Sequence, residues 1–310
     1  MSKKKASITV IILTHNEEIH IERCISSLLP IVENVFVVDS FSTDKTVDIA
    51  KSLGAVVVQR KWINYADQFQ WGLDNCENKT EWIMRMDSDE YLEPDLQFEI
   101  ERRLSLVDSY IDGIYLNRKH IFFGKWIRHG GRFPLTLLRI WRTGKGRIEQ
   151  RWMDEHIILS KGAKTLCFRE NIVDDNLKGI TFFVNKHNSY ATREAVDILN
   201  YKYGLYERDD GIKENDKIQA KYKRILKANV YSKLPIGLRA ILYFLLRYFF
   251  QLGFLDGWKG FVYHFMQGLW YRLLVDVKVY EIEKAGDKDA EKIKEILNKD
   301  YGIDLVLYSN

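Results

Sequence analysis

The side chains most able to do chemistry in this 310-residue chain stand in three short clusters and one later motif. Thr14-His15-Asn16-Glu17 follows one apolar run, Asp39-Ser40-Phe41-Ser42-Thr43-Asp44 a second, and Asp87-Ser88-Asp89-Glu90 a third. Well separated from these lies Arg151-Trp152-Met153-Asp154-Glu155-His156. Asp87 and Asp89 are two apart, so an extended stretch points both to the same side. Neighbouring carboxylates repel unless a cation sits between them. Mg2+ and Mn2+ are held by such hard oxygen ligands together with water and phosphate oxygens. A carboxylate such as Asp154 or Glu155, beside an aromatic, can have its pKa raised towards the range of a general base. Each cluster also has a bland reading. Asn16 could cap one helix, and Ser42, Thr43 or Asp44 the next. Asp154 could be a surface turn acid and His156 a hydrogen-bonded structural histidine. Capping does not account for Asp39, or for three acids within four positions at 87–90.

The elements around these clusters alternate. Ser7 to Leu13 is a β-branched run that reads as a buried strand. Glu17 to Leu29 has apolar residues three and four apart and reads as a helix. Residues 34–38, 55–58 and 81–86 read as further strands. Residues 43–53, 65–75 and 94–107 read as helices, the first of these stopped by Gly54. Such alternation predicts a parallel, doubly wound sheet. Ligands bind such sheets beyond the carboxyl ends of the strands, which is where the polar clusters fall. Residues 112–168 turn β-rich with frequent glycines, and helix dominates from 180, with long helices over 181–206 and 216–231.

Composition narrows the classes. A 46% hydrophobic fraction excludes a disordered chain, and a net charge of +4 is too weak to argue for nucleic acid. Cys24, Cys76 and Cys167 form no Cys-x-x-Cys pair, which argues against a zinc ribbon or disulfide scaffold and fits a reducing compartment. The apolar run after the basic start is too short for a signal-peptide core, so the expected location is cytoplasmic.

Three stretches together resemble the family-2 inverting glycosyltransferases of the GT-A fold. They are Val-Ile-Ile-Leu-Thr-His-Asn-Glu, Val-Val-Asp-Ser-Phe-Ser-Thr-Asp-Lys-Thr and Trp-Ile-Met-Arg-Met-Asp-Ser-Asp-Glu, and the resemblance covers residues 7 to about 160. It is closest to the bacterial branch of lipooligosaccharide β-1,4-glucosyltransferases and of exopolysaccharide and capsule glycosyltransferases. The features of that branch are Asn-Tyr-Ala-Asp-Gln at 64–68, Trp-Met-Asp-Glu-His at 152–156 and Gly-Phe-Leu-Asp-Gly at 253–257. The resemblance implies a mixed sheet flanked by helices, transfer of a hexose such as glucose from a UDP-sugar, and a divalent cation, Mn2+ or Mg2+. It implies that Thr14, Asn16 and Glu17 line the nucleotide pocket, that Asp39 accepts from the base, and that Asp87 and Ser88 approach the ribose and phosphates. Asp89 would ligate the metal, with Asp87 and His156 as further candidates. Asp154 would be the catalytic base, with Glu155 as the competing assignment. The family often has a basic residue and then Asn where this chain has Phe69 and Gln70, so a charge contact to the nucleotide from that helix is not expected. The same residues leave two rivals. A sugar nucleotidyltransferase would want a Gly-rich phosphate loop after the first strand, which Thr14-His15-Asn16-Glu17 is not, and a non-catalytic membrane scaffold would not need the acids at 39, 87, 89 and 154.

The organisation expected is a catalytic domain over 1–175, with a nucleotide-sugar half to about 90, and a helical region over 176–310. Within the latter, 241–271 hold twelve of the 41 aromatics. Residues 211–280 carry twelve Lys or Arg against four acids, which leaves the remainder of the chain net acidic. No stretch there reaches the ~20 apolar residues that crossing a bilayer needs. Residues 236–275 read instead as amphipathic aromatic helices lying in an anionic membrane surface, with Arg239, Arg247, Lys259 and Arg272 meeting headgroups. Their bland reading is a hairpin packed on the catalytic domain or on a second subunit. A lipid-linked saccharide is the acceptor that the resemblance implies.

Overall fold

The computed structural model describes residues 5–77, 79–149, 155–206, 235–303 and 305. The expected helix over 216–231 and the residues Trp152 and Asp154 lie outside these. The chain divides into two compact units, one ending at Gly179 and the other running from Ile180.

The first unit is built on β1 (Ala6–Thr14), whose consecutive apolar residues are buried on both faces, as a central parallel strand requires. β1 pairs in parallel with β2 (Val32–Asp39) and with β4 (Trp82–Asp87), and β2 pairs in parallel with β3 (Val56–Gln59). The right-handed crossovers this demands run through α1 (Glu18–Leu28), α2 (Thr46–Ser52) and α3 (Tyr65–Asn75). The parallel expectation thus holds over the first ninety residues, and beyond β4 the sheet becomes mixed. β8 (Leu135–Arg142) pairs antiparallel with β4 and with β6 (Ile111–Phe122), the short β7 (Lys125–Trp126) pairs antiparallel with β6, and β6 pairs in parallel with β11 (Lys164–Asp175). The sheet order is β3-β2-β1-β4-β8-β6-β11-β5, where β5 is Glu90–Leu92. The helix expected to run to 107, α4 (Pro94–Arg103), stops at Arg103 and gives way to a 3-10 turn over Leu104–Leu106.

One core lies between the sheet and α1, α2 and α4, where Ile21, Ile25 and Leu28 meet Val10, Val37 and Met84. A second lies beneath α3, where Phe69 and Leu73 meet Ile11, Ile83 and Trp141. A small antiparallel ribbon of β9 (Gly146–Ile148) and β10 (Ile157–Leu159) brackets the Asp-Glu-His motif in sequence.

The second unit is helical in its described part: α5 (Gly179–Tyr203), α6 (Leu238–Leu245), α7 (Gly257–His264), α8 (Tyr271–Ala285) and α9 (Ala290–Tyr301). Val196, Leu199, Val279, Ile282, Ile293 and Leu297 form a core shared by α5, α8 and α9. No single described helix is long and apolar enough to cross a membrane. The pair Leu238–Phe250 and Gly253–Ala285 reaches that length and composition together, bent by 71° at the break.

Candidate active site

Register brings the polar clusters level. Thr14 of β1 stands opposite Asp39 of β2, and Leu13 of β1 opposite Asp87 of β4. The three carboxyl ends thus form one edge, as parallel pairing of adjacent strands dictates.

Asp39 is buried and saturated with donors. Its Oδ1 accepts from the Thr14 hydroxyl at 2.9 Å and from the Ser42 hydroxyl, and its Oδ2 from the Ser42 N–H at 2.8 Å and Gln59 Nε2 at 3.0 Å. Burial works against its charge, but the donors from Ser42, Gln59 and Thr14 outweigh it and hold the carboxyl below its ordinary range. Asn16 has φ of 55°, a left-handed backbone that Asn tolerates better than most residues. That twist aims its Oδ1 at the Thr43 N–H, 2.8 Å away, while its own N–H donates to Ser42 Oγ at 2.9 Å. Asn16, Ser42 and Thr43 therefore tie two loops together and cap neither helix. Capping falls to Asp44, which accepts from the N–H groups of Thr46 at 3.0 Å and Glu18 at 3.1 Å, at the starts of α2 and α1.

Glu17 sits in a second network. Its Oε1 accepts from Lys178 Nζ at 2.7 Å and its Oε2 meets His20 Nδ1 at 2.6 Å. His20 Nε2 accepts from the Leu177 N–H at 2.8 Å, so the ring proton sits on Nδ1 and donates to Glu17. Burial opposes the Glu17 charge, and His20 and Lys178 overcome it, leaving the carboxyl lowered.

At the end of β4, Asp87 Oδ1 accepts from the Tyr65 hydroxyl at 2.7 Å, and its Oδ2 lies 3.4 Å from Arg139 Nη2. Arg85 Nε is 3.7 Å from Oδ1. Arg139 also clasps the buried Glu90, which accepts the Asp87 N–H at 2.9 Å. Burial would raise Asp87, but Arg85 and Arg139 hold it well below the carboxylate range. Burial pushes Glu90 up to about 8, against the pull of Arg139 and with the push of Asp87. Two carboxylates facing one guanidinium divide in this way, one charged and one easily protonated. Ser88 is buried.

Asp89 differs from Asp87 in its partners. Its Oδ2 accepts from Asn176 Nδ2 at 2.9 Å, and its backbone carbonyl accepts from the Asp175 N–H at 3.1 Å. Among the described residues no group of three or more His, Cys, Asp or Glu is gathered to hold a metal, so Asp87, Asp89 and His156 do not form such a cluster. The donor set at Asp89 still fits Mg2+ or Mn2+, because these ions take one or two carboxylates and complete their shell with substrate phosphates and water.

Glu155 and His156 lie at the end of the loop between β9 and β10. The Glu155 carbonyl accepts from Arg85 Nη1 at 3.0 Å, and the His156 carbonyl from the Glu149 N–H at 2.9 Å. Arg85 therefore bridges the motif loop to Asp87. His156 itself is exposed.

The basic residues before the motif are largely committed. Arg118 and His120 both meet Asp174, at 3.4 and 3.1 Å, and Lys119 meets Glu93 at 2.7 Å. The Trp126 ring lies edge-on to Phe133, between Lys119 and Arg128. Two contributors stood inside the motifs without an assigned role, Glu90 with its Arg139 clasp and the Tyr65 hydroxyl, and one lay outside them, the segment Asn176–Lys178. The last was open to the same rule as the others, since polar Asp174-Asp175-Asn176 directly follows apolar Ile172-Val173 in β11.

A four-stranded parallel half with acids and hydroxyls along its carboxyl edge, widened by antiparallel strands, is the frame of a GT-A nucleotide-sugar transferase. The chain belongs to glycosyl transferase family 2, whose model matches residues 9–172. Over 94 residues it is 49% identical to an uncharacterized glycosyltransferase of Rickettsia bellii (strain RML369-C), a stretch that spans 30% of this chain and 31% of the relative. It is 27% identical over 290 residues to the lipopolysaccharide core biosynthesis glycosyltransferase LpsC of Rhizobium meliloti (strain 1021), covering 89% of this chain and 93% of that one. Among solved structures it is similar to glucosyl-3-phosphoglycerate synthase from Mycobacterium tuberculosis in complex with Mn2+ and UDP-glucose. That likeness has 24% identity, a TM-score of 0.31 and coverage of 37% of this chain and 44% of that one.

Proposed function

We propose that the protein is an inverting hexosyltransferase that moves a sugar, glucose in the first instance, from a UDP-sugar to a lipid-linked saccharide. The observation that carries this reading is that β1, β2 and β4 end within one residue of each other, at Thr14, Asp39 and Asp87, along one strand edge in a family-2 chain, with Asp89 directly beyond it. Thr14, Asn16, Glu17 and Asp39 would shape the nucleotide pocket, and Asp87 and Ser88 would meet the ribose and phosphates. A divalent cation, Mn2+ or Mg2+, bound at Asp89, would neutralise charge on the UDP diphosphate. Asp154, outside the described residues, would take the proton of the acceptor hydroxyl, and Glu155 is the competing base. Arg85 would hold that loop beside Asp87.

The likeness to LpsC supports an acceptor in lipopolysaccharide core or related surface saccharide synthesis. We further propose attachment to the inner face of the cytoplasmic membrane through 236–275. In the described part, two of the four cations expected to meet headgroups are paired within the protein, Arg239 with Asp276 and Arg272 with Glu194, and Arg247 is buried. Attraction to anionic lipid would then come from Lys259, half-buried, together with the seven Lys and Arg of 211–234, outside the described residues.

A UDP-release screen across nucleotide sugars, with Mn2+ and with Mg2+, tests the activity. The expected result is metal-dependent UDP release with one donor, lost in Asp154→Asn while donor binding persists. Full turnover in that variant moves the base to Glu155, where Glu155→Gln must then abolish it. Nucleoside monophosphate with diphosphate among the products would make the protein a nucleotidyltransferase, and silence with every donor a scaffold.

A further inference from the structure

Residues 241–265 are inverted relative to a hairpin folded in water. The buried positions are Arg247, Gly253, Asp256, Gly260, Tyr263 and His264, and none is aliphatic. Apart from Gln251 and Gly257, the open positions are aromatic and aliphatic: Phe250 is 79% exposed, Trp258 67%, Leu255 53% and Phe249 52%. No charged side chain in this stretch is exposed, and Lys259, half-buried, lies over the Trp258 ring. In water the opposite partition is the rule. In hydrocarbon this one is the rule, because charged groups turn inward and small residues let the helices approach. The glycines fit that pattern. A Cβ on Gly253 would stand 2.7 Å from the His264 ring and 2.9 Å from the Arg247 carbonyl, and one on Gly260 would collide with Asp256.

We propose that the elbow joining α6 to α7 is a wedge that inserts into the hydrocarbon of a single bilayer leaflet. This rests on the membrane reading above and changes its physics, from charge attraction at a surface to burial of apolar side chains. The first arm, Leu238–Phe250, is about 20 Å long at 1.5 Å per residue. Placed symmetrically, a 71° bend carries its tip about 11 Å inward, within the ~15 Å of one leaflet and far short of the ~30 Å core. The apolar residues cover both arms and the turn between them, so one partner helix would cover only part of them.

The test labels Phe250→Cys, in a Cys167→Ser background, with an environment-sensitive fluorophore in the full chain. Cys24 and Cys76 are buried and do not compete for the label. The expected result is blue-shifted emission on neutral phosphatidylcholine vesicles, quenching by acyl-chain-brominated lipid, and persistence of both in high salt. Phe250→Asp combined with Trp258→Asp should weaken vesicle partitioning more than about tenfold, with an unchanged circular dichroism spectrum. Phe250→Trp should retain it. Binding only to anionic vesicles, lost in salt and without acyl-chain quenching, overturns the wedge and leaves surface attachment standing. No binding to either vesicle overturns both, as does a blue shift that occurs without lipid and tracks dimer formation in light scattering.

Discussion

At the scale of single residues, the β4 edge is organised around one guanidinium. Arg139 serves Glu90, 1% exposed, and Asp87 at once. Its removal strips the buried Glu90 of its guanidinium partner and leaves Arg85 alone beside Asp87, so Arg139→Met should cost about 3–5 kcal/mol in urea unfolding. Tyr65→Phe removes one donor to Asp87 and should cost only about 1 kcal/mol. Glu90 supplies a sign that can be checked. Its folded pKa, about 8, lies above the unfolded value, so the native state holds the extra proton between them. Stability should therefore fall as pH rises from the ordinary carboxylate range, near ~4.3, towards 8, and Glu90→Gln should flatten that slope. Asp89→Ala should abolish metal-dependent UDP binding in calorimetry, and unchanged binding would remove Asp89 from the site.

At the scale of elements, loops are matched to each other rather than to their own helices. Asp44 serves the starts of both α1 and α2, so Asp44→Ala should cost about 1–2 kcal/mol, more than one lost cap, in thermal unfolding. Gly146 of β9 has no room for a side chain, since a Cβ would meet the Trp141 indole at 2.6 Å. Gly146→Ala should destabilise by about 1–3 kcal/mol and shift the ribbon that carries Glu155 and His156. The first four strands and three helices were legible in the chain because apolar period and turn residues coincide there. Capping by Ser42 and Thr43 was a sound local expectation, but Asn16 recruits both from across the sheet edge and Asp39 takes Ser42 within its own loop. The antiparallel insertion of β8 between β4 and β6 left no local mark, because strand pairing depends on partners distant in sequence. The buried Arg247 was unreadable for the same reason: its guanidinium lies over the ring of Tyr263, on another helix, as well as that of Tyr243 on its own.

At the scale of the whole molecule, the +4 charge conceals two chemistries, acids gathered on a strand edge and an inverted aromatic elbow in the helical unit. The acid edge makes the fold sensitive to low pH. Asp39, Asp44 and Glu17 have folded pKa values below their unfolded ones. Their contribution is complete above the ordinary carboxylate range, ~4, and is lost as pH falls through the depressed values. An acid titration followed by circular dichroism should show this limb, displaced to higher pH in Asp39→Asn. The contacts of Leu177 and Lys178 carry a consequence for biosynthesis. The His20 ring receives the N–H of Leu177, and Lys178 binds the Asn16 carbonyl, across 157 and 162 residues of chain. A ribosome releasing this protein delivers the first βα loop early and its fastening much later. That loop is therefore fastened only when the final residues of the first unit emerge, well after the strands that flank it have left the exit tunnel.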